Sequence, residues 1–213
     1  MRFSCGFLTA LAFVASGLNA AEKPAVLLAQ KDFSDFEYVA GAPADIATVC
    51  KLKDDGVVAV SGAPIGYIAT KATHRNYRLH AEWRWTGAPG NSGVLVHIAS
   101  GPKDRQWPLS LQVQTKNKAA GDLLPMAGFT FSDALTSPAG SAVPLKAHTA
   151  PDSEKPVGEW NSTDIVCRGD AVEVTINGVV QNKVAGCAVA EGKVGFQLEG
   201  VPFELRNIRL ESL

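Results

Sequence analysis

The 213-residue sequence has almost no excess of charge, few cysteines and no long apolar run after its N-terminus. Its formal net charge of -1 provides no basic surface for nucleic acid. The four cysteines form no Cys-x-x-Cys pair and no Cys/His cluster, so nothing favours a zinc site. No later segment is apolar enough to span a bilayer, and we expect no membrane association once the N-terminus is removed.

The first 21 residues have the features of a signal peptide. Arg2 supplies a positive start, residues 7–15 are apolar, and small residues supply a cleavage site at Ala20 or Ala21. We therefore predict export to a bacterial periplasm or the extracellular medium. The exported part is residues 22–213, a length that a single domain can fill.

Export permits disulfide bonds, and signal removal leaves Cys50, Cys167 and Cys187. Cys167 and Cys187 flank a predicted three-strand meander and should lie at the same end of it. Two strand spacings amount to roughly 9.6 Å, whereas a disulfide joins Cα atoms within about 7 Å. We predict a Cys167–Cys187 disulfide, for which the chain after the third strand must curl back.

Helical periodicity is also missing, because no stretch of the mature chain keeps an apolar period of 3.6 over more than two turns. Apolar and polar residues alternate instead, most clearly over residues 77–85. Asn177 and Gly178 separate two alternating segments and predict a tight hairpin. Many short strands without helices predict two packed sheets or a barrel. Further strands are predicted over residues 93–98, 108–115, 164–167, 172–176, 179–184, 193–198 and 203–210.

Residues 116–158 are the least regular part of the chain and contain five prolines. They predict a long loop with short strands. Long loops of this kind on a β scaffold are usually functional or disordered, and we expect this one to border a binding face.

Several short motifs occur in a fixed order. Residues 91–94 read Asn-Ser-Gly-Val, and residues 107–114 read Trp-Pro-Leu-Ser-Leu-Gln-Val-Gln. Later, residues 158–161 read Gly-Glu-Trp-Asn, residues 195–200 read Gly-Phe-Gln-Leu-Glu-Gly and residues 205–208 read Leu-Arg-Asn-Ile. Together they resemble the 3-keto-disaccharide hydrolase family over nearly the whole mature chain. The resemblance implies an all-β fold, a concanavalin A-like jelly-roll β-sandwich of two antiparallel sheets.

The resemblance also implies an activity, the hydrolysis of 3-keto-glycosides such as 3-keto-disaccharides. A ketone at C3 acidifies the C2 hydrogen, so a base can remove it and expel the glycosidic oxygen before water adds back. This chemistry needs a base, an acid and ideally a divalent metal ion. His97 lies where family members often carry Arg or His and is our candidate base or metal ligand, although a solitary histidine on a strand can equally be structural. The sequence shows no complete set of metal ligands.

The sequence departs from the family pattern at Gln112, which occupies the position of a family Glu. A neutral amide neither transfers protons nor binds metals as a carboxylate does. The protein then works without this carboxylate, or uses Glu82, Asp122 or Glu199 instead, or binds sugar without cleaving it. A register shifted by one pleat would put Ser110 at the family position, which leaves the acid equally absent.

The departure keeps two other functions open besides the hydrolase. One is a non-catalytic carbohydrate-binding module, because the same fold serves binders and hydrolases. The other is an exported structural or interaction protein without a small ligand. The sequence offers no clear pair of carboxylates for ordinary glycoside hydrolysis.

Polar side chains that alternate with core residues predict a sugar-binding wall. If their strands are neighbours, His97, Gln112 and Gln114 converge on one concave face. Trp107 either stacks on a sugar ring or is structural, and Trp160 either contacts sugar or fills the core. The predicted contacts to an oligosaccharide or keto-sugar ligand are Asn91, Ser92, Trp107, Gln114, Asp122, Trp160, Asn161 and Gln197.

Overall fold

Residues 25–26 and 33–213 are described by a computed structural model of the chain. The predicted signal peptide lies outside these residues, so export stays a prediction. No helix in the described part is long and apolar enough to cross a membrane.

The strands are β1 Ala25–Val26, β2 Phe36–Ala40, β3 Cys50–Leu52, β4 Val58–Val60, β5 Gly66–Thr70, β6 Tyr77–Trp85, β7 Gly93–Asp104, β8 Trp107–Gln114, β9 Leu123–Met126, β10 Asn161–Arg168, β11 Ala171–Ile176, β12 Val179–Val184, β13 Lys193–Leu198 and β14 Phe203–Ser212.

The strands pair into two antiparallel sheets. The larger sheet has the order β12-β11-β10-β6-β14-β4-β3, with β1 paired to β14. The smaller sheet has the order β2-β5-β13-β7-β8-β9. The predicted all-β sandwich of two antiparallel sheets is therefore confirmed, and β7 and β8 are neighbours as expected.

The core lies between the two sheets and is built by strict alternation. In β6, Tyr77, Leu79 and Trp85 are at most 1% exposed, while the alternate residues, from Arg78 to Arg84, lie on the outer face. Trp83 lies on the same inner face, where its Nε1 donates to Thr163 Oγ1 at 3.0 Å. Each such large side chain stabilises the fold by roughly 1.5–3 kcal/mol on burial. Trp83 and Trp85 are core residues.

The predicted tight hairpin joins β11 and β12. Asn177 and Gly178 have φ angles of 49° and 81°, in the left-handed region that these residues tolerate. The Asn177 side chain also accepts from the backbone N–H of Ser162 at 2.8 Å and so fastens the turn to β10. The turn is structural.

Two carboxylates hold the long segment 116–158 together, and one of them also joins it to the sandwich. The Glu154 side chain accepts hydrogen bonds from the Lys118 backbone N–H at 2.7 Å and from Trp85 Nε1 at 3.3 Å. Asp122 accepts from the His148 backbone N–H at 2.8 Å and contacts the His148 ring at 2.6 Å. These contacts hold an irregular segment in a fixed place, with β9 as its strand.

The predicted Cys167–Cys187 disulfide is wrong in this structure, because Cys50, Cys167 and Cys187 are all free and buried. Cys167 lies near the end of β10 on the inner face, where its thiol is placed beside the Tyr77 hydroxyl. Cys187 is held beyond β12 by its backbone N–H, which donates to the Asp170 carbonyl at 3.0 Å. The chain after β12 therefore packs without a bridge.

His97 interrupts the alternation of β7. Its φ angle is 54°, and the pairing of β7 with β8 shifts register directly after Val96. The bulge turns the imidazole into the core, where it is fully buried and meets the edge of the Tyr77 ring at 6.2 Å between centroids. Burial lowers the pKa of His97 to about 4, and the nearby Val189 carbonyl offsets part of that effect.

We predict that the buried His97 makes the protein acid-sensitive. Its folded pKa lies below its unfolded value of about 6.5, so its contribution is complete above pH 6.5 and is lost as the pH falls towards 4. The loss amounts to about 3 kcal/mol in the free energy of unfolding. A His97→Asn variant, which keeps a side chain tolerant of positive φ, should show a flatter dependence in urea unfolding between pH 4 and 6.5.

His80→Asn provides the control. The Asp164 side chain raises the pKa of His80 by a hydrogen bond, so its contribution is lost only as the pH rises above about 6.5. Equal slopes below pH 6.5 in wild type and His97→Asn would contradict the buried, neutral state of His97.

Candidate functional site

A pocket of about 430 Å³ lies on the outer face of the smaller sheet. Strands β8 and β13 supply its floor, and the β7–β8 hairpin and part of the long segment, including β9, form its walls. Segment 116–158 thus borders this pocket. The lining residues are Asn91, Asp104, Arg105, Trp107, Gln112, Gln114, Lys116, Leu124, Pro125, Met126, Ala127, Gly128, Ala142, Val143, Pro144, Gln197 and Glu199.

Three glutamines form the floor of the pocket. Gln112 Nε2 donates to Gln114 Oε1 at 2.9 Å and to Gln197 Oε1 at 3.0 Å. All three side chains are at least nine-tenths buried, and Gln112 Oε1 has no hydrogen-bond partner in the described part of the chain. A buried amide oxygen without a partner is costly, so this floor is suited to accept a hydrogen bond from a ligand.

The alternation of inward and outward side chains along each strand explains why the three glutamines meet. Leu111 and Val113 are fully buried in the core, so Gln112 and Gln114 must point to the opposite face of β8. Gln197 has the same orientation in β13, two strands away from β8 with β7 between them. The predicted convergence of the glutamines is therefore present.

Gly93 makes room for this floor. A Cβ atom at Gly93 would lie 2.7 Å from Gln112 Cγ and 2.8 Å from Gln112 Nε2. Contacts this short require the Gln112 side chain to move. The glycine of the Asn-Ser-Gly-Val motif is thus a requirement of packing at the pocket.

Glu199 supplies a carboxylate to the same pocket. Asn91 Nδ2 donates to Glu199 Oε2 at 2.7 Å, and both side chains line the cavity. Burial raises the pKa of Glu199, and the positive charge of Lys116 opposes part of that shift. From the sequence, Glu199 was only one of three possible acids. Its position two residues after Gln197 was the available signal, because a period of two keeps both on one face.

The rim combines apolar and charged groups. Trp107 lines the cavity and packs against the partly covered cluster around Leu95 and Ile98 on this outer face. Val143 is 55% exposed across the pocket. The Arg105 side chain at the hairpin tip is 84% exposed. Trp107 is therefore anchored on one side and presents the other to a ligand.

Five predicted site residues do not line the pocket. His97 is turned into the core by its bulge, so its expected convergence with Gln112 and Gln114 is wrong. Ser92 points to the inner side, where its hydroxyl donates to the Gln197 carbonyl at 2.6 Å. Asp122 is occupied by His148, as described above. These three side chains shape the sandwich around the pocket.

Trp160 and Asn161 also lie elsewhere. Trp160 is on the outer face of the larger sheet, between the guanidinium groups of Arg84 and Arg206 at 4.5 and 4.1 Å from the ring. Asn161 is buried, and its Oδ1 accepts from the Lys155 backbone N–H and from Asn177 Nδ2, both at 2.8 Å. Both residues of the Gly-Glu-Trp-Asn motif are structural here.

The predicted divalent metal finds no conventional site. No group of three or more His, Cys, Asp or Glu side chains in the described ranges is placed to hold a metal ion. The pocket lining contributes two carboxylates, Glu199 at the end of the floor and Asp104 at the exposed hairpin tip, and its other oxygen donors near Gln112 are neutral amides. One carboxylate beside the neutral amides of the floor does not fit a resident divalent ion, which usually has more anionic ligands.

The jelly-roll sandwich is a fold that lectin domains share with many unrelated proteins, so the fold alone does not give the function. The family of the 3-keto-alpha-glucoside-1,2-lyase-like domain matches residues 23–211 of this chain. The chain belongs to this family, and the resemblance seen in the motifs is confirmed. No protein with a curated description matches the chain significantly.

Solved structures share the fold at low sequence identity. A candidate glycosyl hydrolase from Parabacteroides distasonis is 20% identical, with a TM-score of 0.64 over 90% of this chain and 100% of the other. The carbohydrate-binding module CBM66 from Bacillus subtilis is 12% identical, with a TM-score of 0.55 over 84% and 96%. A LamA variant from Z. galactanivorans, in complex with laminaritriose and laminaritetraose, is 9% identical, with a TM-score of 0.58 over 91% and 100%. At such identities these similarities show the fold.

We predict that Gly93→Ala disturbs the pocket floor and destabilises the protein. The added methyl group displaces the buried Gln112 side chain, and overpacking of this kind costs about 1–3 kcal/mol. Urea unfolding measures the loss, and the side-chain amide resonances of Gln112 report the displacement. Gly101→Ala on the same strand is the control, because nothing lies within 4 Å of its Cβ position. Equal stability of the two variants, with unchanged Gln112 resonances, would contradict the close approach.

Proposed function

We propose that the protein is an exported hydrolase of 3-keto-glycosides that binds its substrate in the glutamine-floored pocket. The observation that carries this proposal is the buried amide floor, with its unpartnered Gln112 oxygen, beside the Glu199 carboxylate. Membership in the family of the 3-keto-alpha-glucoside-1,2-lyase-like domain supports the substrate class. The sequence features of residues 1–21 support export.

The pocket provides the two kinds of contact that sugars need. Gln112 Oε1 and Asn91 Oδ1 are buried oxygens without partners in the described ranges, and each accepts a hydrogen bond from a sugar hydroxyl. The Trp107 ring at the rim packs against a face of the sugar. The sugar complex of the LamA variant shows that this fold accommodates an oligosaccharide in that relative.

The proposed reaction is an elimination followed by hydration. A base takes the proton from C2, whose acidity is increased by the C3 ketone. The electron pair of that C–H bond forms the C1=C2 double bond, and the C1–O bond breaks with its electrons on the leaving oxygen. Water then adds across the double bond, with oxygen at C1 and hydrogen at C2, so the net change is hydrolysis.

A second candidate function is a non-catalytic carbohydrate-binding module. The observation in its favour is Gln112, an amide at the position of a family Glu, whose two N–H bonds are used to hold the floor together. The similarity to the module CBM66 shows a fold shared with a named binder. A binder retains the sugar and leaves it intact.

We expect the protein to release both halves of a 3-keto-disaccharide, followed by NMR of the products. The same measurement is repeated with a panel of divalent metals and with a chelator. These parallel samples show whether an added ion takes part in the reaction. Gln197→Ala should weaken substrate binding about tenfold, since it removes one hydrogen bond of the floor and unsettles Gln112. Trp160→Ala, on the opposite sheet, is the control and should leave binding unchanged.

The outcomes separate the three functions. Release of both sugars supports the hydrolase. Retention of the disaccharide without cleavage contradicts the hydrolase and supports the binding module. If the protein neither retains nor cleaves neutral sugars or keto-sugars, the hydrolase and the binding module are both contradicted. A structural or interaction function is then favoured.

A further inference from the structure

The proposed reaction requires a base within the pocket, and the described lining offers two carboxylates. Asp104 lies at the tip of the β7–β8 hairpin, where its side chain is 65% exposed to solvent. Glu199 follows the last residue of β13 and is only partly exposed, at the end of the glutamine floor. Only Glu199 combines proximity to the floor with partial removal from water.

Asn91 holds Glu199 in a defined orientation. Its Nδ2 donates to Glu199 Oε2 at 2.7 Å, which fixes one carboxylate oxygen and leaves the other for a substrate proton. Asn91 is the first residue of the Asn-Ser-Gly-Val motif and lies two residues before β7 begins at Gly93. A base held in this way loses little freedom when substrate binds.

The glutamine floor explains why a carboxylate at position 112 is unsuitable in this chain. Gln112 donates to two carbonyl oxygens, those of Gln114 and Gln197, and a carboxylate has no proton to donate. A second negative charge in the same pocket as Glu199 would also be unfavourable. An amide at position 112 and a carboxylate at position 199 therefore fit each other.

We propose that Glu199 is the catalytic base of this protein, and that the acid of the family Glu position has moved from strand β8 to the end of strand β13. The inference rests on the proposed function. Burial raises the pKa of Glu199, which makes its carboxylate a stronger base than an exposed glutamate. The positive charge of Lys116 opposes part of this rise in the pKa of Glu199.

The proton balance closes with Glu199 alone. Its carboxylate takes the C2 proton, and the leaving oxygen takes a proton from water at the open mouth of the pocket, which leaves hydroxide. The hydroxide adds to C1, and the Glu199 carboxylic acid returns its proton to C2. Glu199 is then a carboxylate again, and one water molecule has been consumed.

The first test is Glu199→Gln, an isosteric change that keeps the contact with Asn91. We expect kcat/KM for a 3-keto-disaccharide to fall about 100-fold or more, because general base catalysis contributes about 10²–10⁴-fold, while the dissociation constant for substrate changes less than about threefold. Glu159→Gln, the same change at an exposed glutamate outside the pocket, is the matched control and should lose less than about twofold.

The pH profile gives a second, independent measurement. Activity of the wild type should fall with decreasing pH through the pKa of Glu199, which lies above its ordinary value because of burial. This acid limb should persist, at lower rate, in Glu199→Asp. It should be absent from the residual activity of Glu199→Gln.

The exchange of the two positions is tested by Gln112→Glu in a chain that keeps Glu199. We expect kcat/KM to fall at least about tenfold, because a carboxylate at position 112 cannot donate to Gln114 and Gln197 and adds a second negative charge to the pocket of Glu199. Activity equal to or above that of the wild type would contradict the exchange.

Failure of the inference differs from failure of the proposed function. If the wild type turns over substrate and Glu199→Gln stays within about threefold of it, or Glu159→Gln loses as much as Glu199→Gln, then Glu199 is not the base and the proposed hydrolase is unaffected. No turnover by the wild type overturns the proposed function and the inference together. Thermal melting of each variant confirms that loss of activity is not loss of the fold.

Discussion

The packing of Leu111 and Val113 between the two sheets is the constraint on which the rest of the site depends. Their burial fixes the pleat of β8, and the pleat fixes Gln112 and Gln114 on the outer face. A slip by one residue would bury two amides and expose two core side chains. The hydrophobic core thus sets the positions of polar groups that it never touches.

The same logic extends to the neighbouring strands of the smaller sheet. Leu198 and Phe196 anchor β13 in the core, so Gln197 and Glu199 reach the pocket side by side. Gly93 lets the Gln112 side chain lie close to β7. The result is a rigid floor of neutral hydrogen-bonding groups with one carboxylate at its end, which is suited to orient a sugar and to move a proton.

Alternation made much of this predictable from the sequence. The strands, the Asn177–Gly178 hairpin and the face of Gln112, Gln114 and Gln197 follow from a period of two. His97 does not follow the period of two, because a bulge with positive φ reverses the direction of its side chain. No residue type at that position predicts a bulge. Trp160 was equally beyond prediction, since its stacking with two arginines depends on a non-local pairing of β10, β6 and β14.

Sugar binding at the glutamine floor is the central claim, and side-chain NMR tests it most directly. The four tryptophan indole signals and the glutamine side-chain amides are followed during titration with a 3-keto-disaccharide. Shifts confined to Trp107 and to Gln112, Gln114 and Gln197 are predicted, with the Trp160 indole unmoved. A titration that shifts Trp160 and leaves Trp107 and the glutamines unchanged would place the ligand on the other sheet and contradict the account.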